Sequence, residues 1–531
     1  MDEASRARIR VYLNDPAARG QGAVTSEPPR DTEKSPWGFR VEGREPRPIP
    51  YEPDTPEFLH WQIASALARG RALWSRLLPK AGSWVLGPVL PAIPVDGDGL
   101  NAFYDRKALH FFRDEDSSTG AIVNSGDSPD IVTHEQGHAV LDSIRPDLWD
   151  APHFEVAAFH EAFGDLAAIL VALEEEDLVR AVLEETRGSL DHSNLVSRLA
   201  EELAAAVAAR YGPGAALPDA LRDAVNPFRY RAPRSLPEDA DADALSREPH
   251  SFSRVVTGAC WDVLVRLYLL KSRGLIPKGS DPASELKSRG LIPKGSDPAS
   301  ADSTDLHPEA LGRAARELGR LLVASASSAP AGAAFFRRFA RELTAAAAEN
   351  GAEQAEIIEA LASRALVASG ETRKLADRED RIAAMGLGGE ALPTRILEAV
   401  RENLGASREE EILFRPAPDG SLRGRRARDL VLSGSEYGPA DGAAVEISDS
   451  FDVAVEESGY VNAARVERAG PEEEEDAREF VRTLARAGRI AAEDEEHDPA
   501  HLYREGKSHF VARESDGVRR LRRSWHDGGA E

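Results

Sequence analysis

SPDIVTHEQGHAVLDS, residues 128–143, and FEVAAFHEAFGDLAAILVAL, residues 154–173, carry the pattern from which the rest of this chain is read. Ser128-Pro129-Asp130 is a helix start: a capping hydroxyl, a proline in the first turn and a carboxylate at the positive end of the dipole. The pattern predicts a helix to about Ser143, stopped before Pro146. It carries His134-Glu135-Gln136-Gly137-His138. Residues four apart on a helix are separated by about 40° of rotation and about 6 Å of rise. Both imidazoles can therefore converge on one tetrahedral metal, with Glu135 beside its open position. Two half-exposed histidines on an ordinary helix is the competing reading of these five residues.

The second segment decides between them. It predicts an almost wholly apolar, centrally buried helix from Phe154 to Leu173, yet it contains Glu161 and Asp165, four residues apart. Two carboxylates there are costly unless they meet a cation or donors. A zinc ion bound by Glu161, with Asp165 accepting the outer N–H of His134 or His138, removes both costs. The alternative is a structural ion pair with an arginine elsewhere. His160 or His153 could serve as third ligand, but neither accounts for Asp165.

Working outward, 531 residues hold several domains, and 42% apolar with 30% charged residues fits a globular protein. Sixty-six Lys and Arg against 91 Asp and Glu give a net charge of −25, which disfavours nucleic acid or an anionic membrane as partner. The single cysteine, Cys260, excludes an intrachain disulfide and Cys-based zinc modules, and its apolar surroundings make it a core residue. The longest apolar stretch, Trp84 to Val95, is interrupted by Pro88, Pro91 and Pro94, and the N-terminus lacks a signal-peptide core. A cytoplasmic location is expected, with non-classical export left open.

Residues 1–60, rich in Pro, Arg and Glu, read as a poorly structured arm. A helix is expected over 61–78, and two strands around a polar turn over 101–123. Further helices are expected at 194–209, 251–270, 308–324, 332–349 and 352–368. LKSRGLIPKGSDPAS occurs at 270–284 and again at 286–300, a tandem duplication that reads as a surface-loop insertion. Beyond Gly370 the pattern changes to a separate α+β appendage, ending in a hairpin with Asp516-Gly517 at its turn.

HEQGHAV, followed after residues 139–160 by Glu161 and then Asp165, resembles the gluzincin metallopeptidases, specifically the thermolysin-like family. Three further motifs fall in the same order. Asn101-Ala102-Phe103-Tyr104 resembles the edge strand whose Asn side chain and Ala carbonyl hold the substrate backbone. Ala220-Leu221-Arg222-Asp223-Ala224-Val225-Asn226-Pro227 resembles the segment whose Arg grips a substrate carbonyl. His250, at the head of HSFSRVVTGACWDVL, resembles the histidine that stabilises the tetrahedral intermediate, with Glu248 or Asp243 to orient it. The resemblance covers about residues 95–370. The connecting loop 144–153 is longer than is usual in the family, and Trp149 occupies the region of its assisting tyrosine. Only Asp130 matches the family's calcium-binding carboxylates, so bound calcium is not assumed.

The resemblance implies an α+β fold: a two-lobed, thermolysin-like catalytic unit with a β-rich N-terminal lobe and an α-helical C-terminal lobe. The expected divisions are an arm (1–60), an N-terminal lobe ending in the zinc helix (61–143), a helical lobe with the duplicated loop 270–300 (144–370), and an appendage (371–531). The expected function is a zinc-dependent metalloendopeptidase acting on peptides or proteins, with one Zn²⁺ on His134, His138 and Glu161 and with Asp165 behind the ligands. Glu135 is the expected general base and His250 the oxyanion partner, while Asn101, Ala102 and Arg222 bind substrate. A gluzincin aminopeptidase would need a Gly-x-Met-Glu-Asn-type segment, and neither Met1 nor Met385 fits one. A catalytically weak, metal-stabilised binding protein is the remaining alternative, although it has no use for Glu135. The sequence leaves the oligomeric state open.

Overall fold

The computed structural model describes residues 7–79, 82–273, 306–348, 351–367 and, with short gaps, 397–527. The fold is mixed α+β, and the chain divides into two compact units. One comprises residues 1–143, 161–320 and 527–531, the other 144–160 and 321–526.

In the first unit, the N-terminal arm is ordered where composition suggested little structure. Strand β1 (Ile9–Val11) pairs antiparallel with β2 (Val24–Ser26), and Ile9, Val11, Trp37 and Phe39 are buried. Apolar residues at alternate positions pin the arm despite its Pro-rich composition. β3 (Gly38–Val41) then runs parallel to β4 (Val89–Ile93), which runs parallel to β6 (Leu109–Phe111). β5 (Ala102–Tyr104) lies antiparallel to β6, with Ala102 opposite Phe111 and Tyr104 opposite Leu109. A separate hairpin follows, β7 (Arg113–Glu115) on β8 (Ile122–Asn124), so the stretch expected as two strands holds four.

Helix α1 (Pro56–Leu77) starts earlier than its apolar periodicity suggests. Thr55 caps it by accepting from the Phe58 N–H, and Pro56 and Glu57 fill the first turn. Helices α2 (Pro129–Ile144) and α3 (Phe154–Ala172) lie within one residue of their expected ends. α4 (Glu176–Thr186) follows. The helix expected over 194–209 begins later. Asn194 accepts the Val196 and Ser197 N–H groups in a side-chain turn, Arg198–Leu199 (β9) pairs with Arg222–Asp223 (β10), and only Glu201–Tyr211 (α5) is helical. α6 (Pro249–Arg273) includes Leu270–Arg273, the start of the duplicated segment; the rest of the duplication lies outside the described residues.

α2 is held from two sides. Against α1, the Gln136 amide donates to the Leu67 carbonyl at 3.1 Å. Against α3 the approach is closer: a Cβ on Gly137 would lie 2.9 Å from Ala167 Cβ and 3.0 Å from the Gly164 backbone. A Cβ on Gly164 would lie 2.6–2.7 Å from the His134 ring. Two glycines therefore set the separation of the two helices that carry the candidate ligands.

The second unit contains a sheet in the order β11 (Ile412–Pro416), β12 (Leu422–Val431), β13 (Ala444–Val455), β17 (Arg519–Arg523), β16 (His509–Arg513) and β15 (Ile490–Ala491), with β14 (Val461–Glu467) also on β13. The β16–β17 hairpin turns at Gly517 in the left-handed region, as Asp516-Gly517 suggests. Helix Pro471–Arg486 inserts Phe480 and Val481 among Val445, Ile447, Val511 and Leu521, and Phe154 and Ala157 join that core. Its acidic first turn, Glu472–Glu474, complements the dipole. Residues 144–160 and 321–348, expected in a helical lobe, are grouped with this sheet. The α+β segment expected from 371 is described mainly from 412 onward, and 371–396 lie outside the described residues.

Replacing Gly137 with Ala should lower the thermal unfolding midpoint. The backbone of α3 blocks the added methyl, and overpacking of about 1–3 kcal/mol outweighs the ~1 kcal/mol gain in helix propensity. An unchanged or raised midpoint by calorimetry would contradict the close crossing.

Candidate metal centre

The helix start at Pro129 sets the phase of α2 so that His134 and His138 face the same way, their rings edge to face with centroids 4.7 Å apart. Glu161, on α3, meets both: its Oε2 lies 3.4 Å from His134 Nε2 and 3.7 Å from His138 Nε2. All three residues are buried, and one donor atom from each falls within 4.8 Å of the others. Donors around 2.0–2.1 Å from a tetrahedral ion sit roughly 3.3 Å apart, so these separations suit a metal. Two neutral imidazoles and a carboxylate are also the donor types of a three-ligand zinc site. These residues can hold a metal ion.

Behind these three residues lies Asp165. Its Oδ1 lies 3.1 Å from His134 Nδ1. Arg222 also donates to this carboxylate, from Nε at 3.0 and 3.1 Å and from Nη2 at 2.9 Å, which is the structural ion pair named as the alternative. Arg222 is thus engaged with Asp165, an attachment its sequence context gave no sign of. Burial opposes ionisation of Asp165, yet Arg222 and His134 hold its carboxyl below the usual range. Burial would likewise lower the His134 pKa, but the hydrogen bonds to Asp165 and Glu161 raise it to about 9. At His138 burial outweighs the attraction of Glu161, and its pKa is pushed down to about 3. Glu161 stays well below the carboxylate range despite burial, held there by His250, His138 and His134.

Glu248, one of the two candidates to orient His250, is the one that does so. His250 Nδ1 lies 2.7 Å from Glu248 Oε1, which also accepts the His250 backbone N–H at 3.0 Å, while Oε2 accepts that of Ser251 at 2.8 Å. One carboxylate thus covers the start of α6 and fixes the ring. Its other nitrogen, Nε2, lies 3.2 Å from Glu161 Oε2. Glu135 is fully buried on α2 between His134 and His138. Asn101 is buried just ahead of β5 and accepts the Ala102 N–H at its own side chain.

The other histidines considered as ligands have partners in the second unit. His153 pairs with Asp476 at 3.0 Å, and His160 stacks on His526 with centroids 3.9 Å apart. Trp149 donates from its indole to the Arg523 carbonyl. Cys260 is fully buried, and burial pushes its thiol up to about 12.

A second buried group that can hold a metal ion was not legible: Asp15, Asp130 and Glu201. Burial and mutual repulsion raise the pKa values of Asp130 and Glu201. Asp15 lies in the segment read as arm, and Glu201 falls inside the helix expected over 194–209, so only Asp130 carried a signal. No protein-family model matches the chain, and no curated protein matches it.

A metal-ligating imidazole must give up its proton. With His134 raised to about 9, the metal-free centre holds a proton there at neutral pH. Zinc affinity should therefore rise about tenfold per pH unit between roughly 6.5 and 8.5, and calorimetric titration in buffers of different ionisation enthalpy should register about one proton released per zinc. Affinity independent of pH in this window would contradict the His134 assignment.

Proposed function

We propose that the chain is a zinc-dependent metalloendopeptidase of thermolysin-like architecture, hydrolysing internal bonds of peptides or proteins. The convergence of His134, His138 and Glu161 at one buried point, with Glu135 on the same helix turn, carries this reading. Bound there, zinc would act as a Lewis acid and bring a water's pKa towards neutrality. Glu135 takes a proton from the attacking water at its carboxylate and delivers it to the leaving amine. His250, oriented by Glu248, presents Nε2 as a donor where negative charge develops on the carbonyl oxygen. Asp165 orients His134 through Nδ1, and Arg222 holds Asp165 in place. Asn101 and Ala102 take the substrate backbone, and Arg222 a substrate carbonyl, in keeping with the resemblance.

One observation favours a second reading. His250 Nε2 is nearer to Glu161 Oε2 than either His134 or His138 is. With His250 as a fourth ligand the site would be closed, as in a metal-stabilised binding protein.

Zinc content and cleavage of a quenched peptide library separate the two. Glu135→Ala should keep one zinc and lose at least about 10³-fold in kcat, within the range for a general base. His250→Ala should also keep its zinc while kcat falls about 10²–10³-fold, as for loss of an oxyanion donor. Full activity in Glu135→Ala would refute the peptidase mechanism, and zinc loss in His250→Ala would establish the closed site.

A further inference from the structure

The turn joining β5 to β6, Asp105-Arg106-Lys107-Ala108, contains an anomaly. Asp105 Oδ1 accepts the Lys107 and Ala108 N–H groups at 2.8 Å, a side-chain turn that leaves Arg106 at φ +67. Glycine occupies that left-handed region freely, whereas a side chain is disfavoured there. What Arg106 gains in exchange is visible in its guanidinium. Nε lies 3.0 and 3.2 Å from the two oxygens of Asp142, and Nη2 makes a further short bond to Oδ1. Asp142 is fully buried on α2, four residues after His138. The Tyr104 hydroxyl, from the last residue of β5, donates to the same carboxylate at 3.1 Å.

The end of β5 is thereby fastened at two points to the helix that carries His134, Glu135 and His138. An ordinary surface arginine in a turn would not be bidentate on a fully buried carboxylate. We infer that Arg106 is a positioning residue: its clamp on Asp142 sets the spacing between the substrate strand, with Asn101 and Ala102 at its start, and the metal helix. The inference rests on the peptidase reading. It assigns Arg106 no contact with substrate and no share in metal binding. A planar, bidentate guanidinium fixes both distance and orientation, which a lysine ammonium at the same site does not.

Arg106→Lys preserves the charge opposite Asp142 and removes the fork. Zinc-loaded wild type and Arg106→Lys would be compared by zinc content, by kcat and KM on a quenched peptide library, and by hydrogen–deuterium exchange over Ala102–Tyr104. The variant should keep one zinc, raise KM about tenfold with kcat within about twofold, and exchange faster at β5. A loss of general stability would lower the active fraction without moving KM. Arg106→Gly, which suits the backbone and removes the side chain entirely, should show the same KM change in larger measure. An active wild type with variants of unchanged KM and unchanged β5 exchange overturns the positioning role alone. A zinc-loaded wild type that cleaves nothing overturns the peptidase reading, and this inference with it.

Discussion

The centre depends on how closely α2 and α3 can pass. With no Cβ at Gly137 or Gly164, the helices approach until the His134 ring lies on the α3 backbone, and in that position it reaches Glu161 with one nitrogen and Asp165 with the other. A Cβ at either glycine would meet atoms of the facing helix at 2.6–3.0 Å, so side chains there would push the two helices apart. α1 supports the geometry from another side through Gln136 and the stacking of Trp74 on Phe163. Nearly every residue of α2 is buried, so the helix has little freedom to rotate and carry a histidine out of line.

Charge is the second constraint. Glu161, Asp165 and Arg222 are buried, with Glu248 half-buried beside them, and an isolated ion in a buried place is strongly disfavoured. They persist because each faces an opposite charge or a donor: Arg222 on Asp165, His250 on Glu248, and the imidazoles on Glu161. Removing one partner of a buried pair typically costs about 3–5 kcal/mol, because the other is left uncompensated. The network therefore fixes the orientation of His134 and Glu161.

Much of this was legible, and the boundary is physical. α2 and α3 were readable because local signals agreed: a capping start, helical apolar spacing, and carboxylates whose presence on a buried helix demanded a partner. The β16–β17 hairpin was readable because Asp516-Gly517 suits the left-handed turn. What escaped were features set by distant residues. The arm, residues 1–60, reads as poorly structured by composition, yet Ile9 and Val11 are fully buried. The Asn194 turn replaces the first part of an expected helix through side-chain hydrogen bonds that compete with helical ones. The choice of Glu248 over Asp243, the engagement of Arg222 with Asp165, and the clamp of Arg106 on Asp142 are all tertiary contacts. No spacing rule anticipates them. The division of the chain into its two units likewise cuts through α3, where the local pattern shows no break.

Whether an ion is held by this trio with one position open is answered most directly by X-ray absorption at the zinc edge of the metal-loaded protein. The expected spectrum has four light scatterers at about 2.0–2.1 Å, with multiple scattering from two imidazoles and the remaining positions filled by carboxylate and water oxygens. Multiple scattering from three imidazoles, with no exchangeable oxygen, would show a closed centre and contradict the proposed hydrolase.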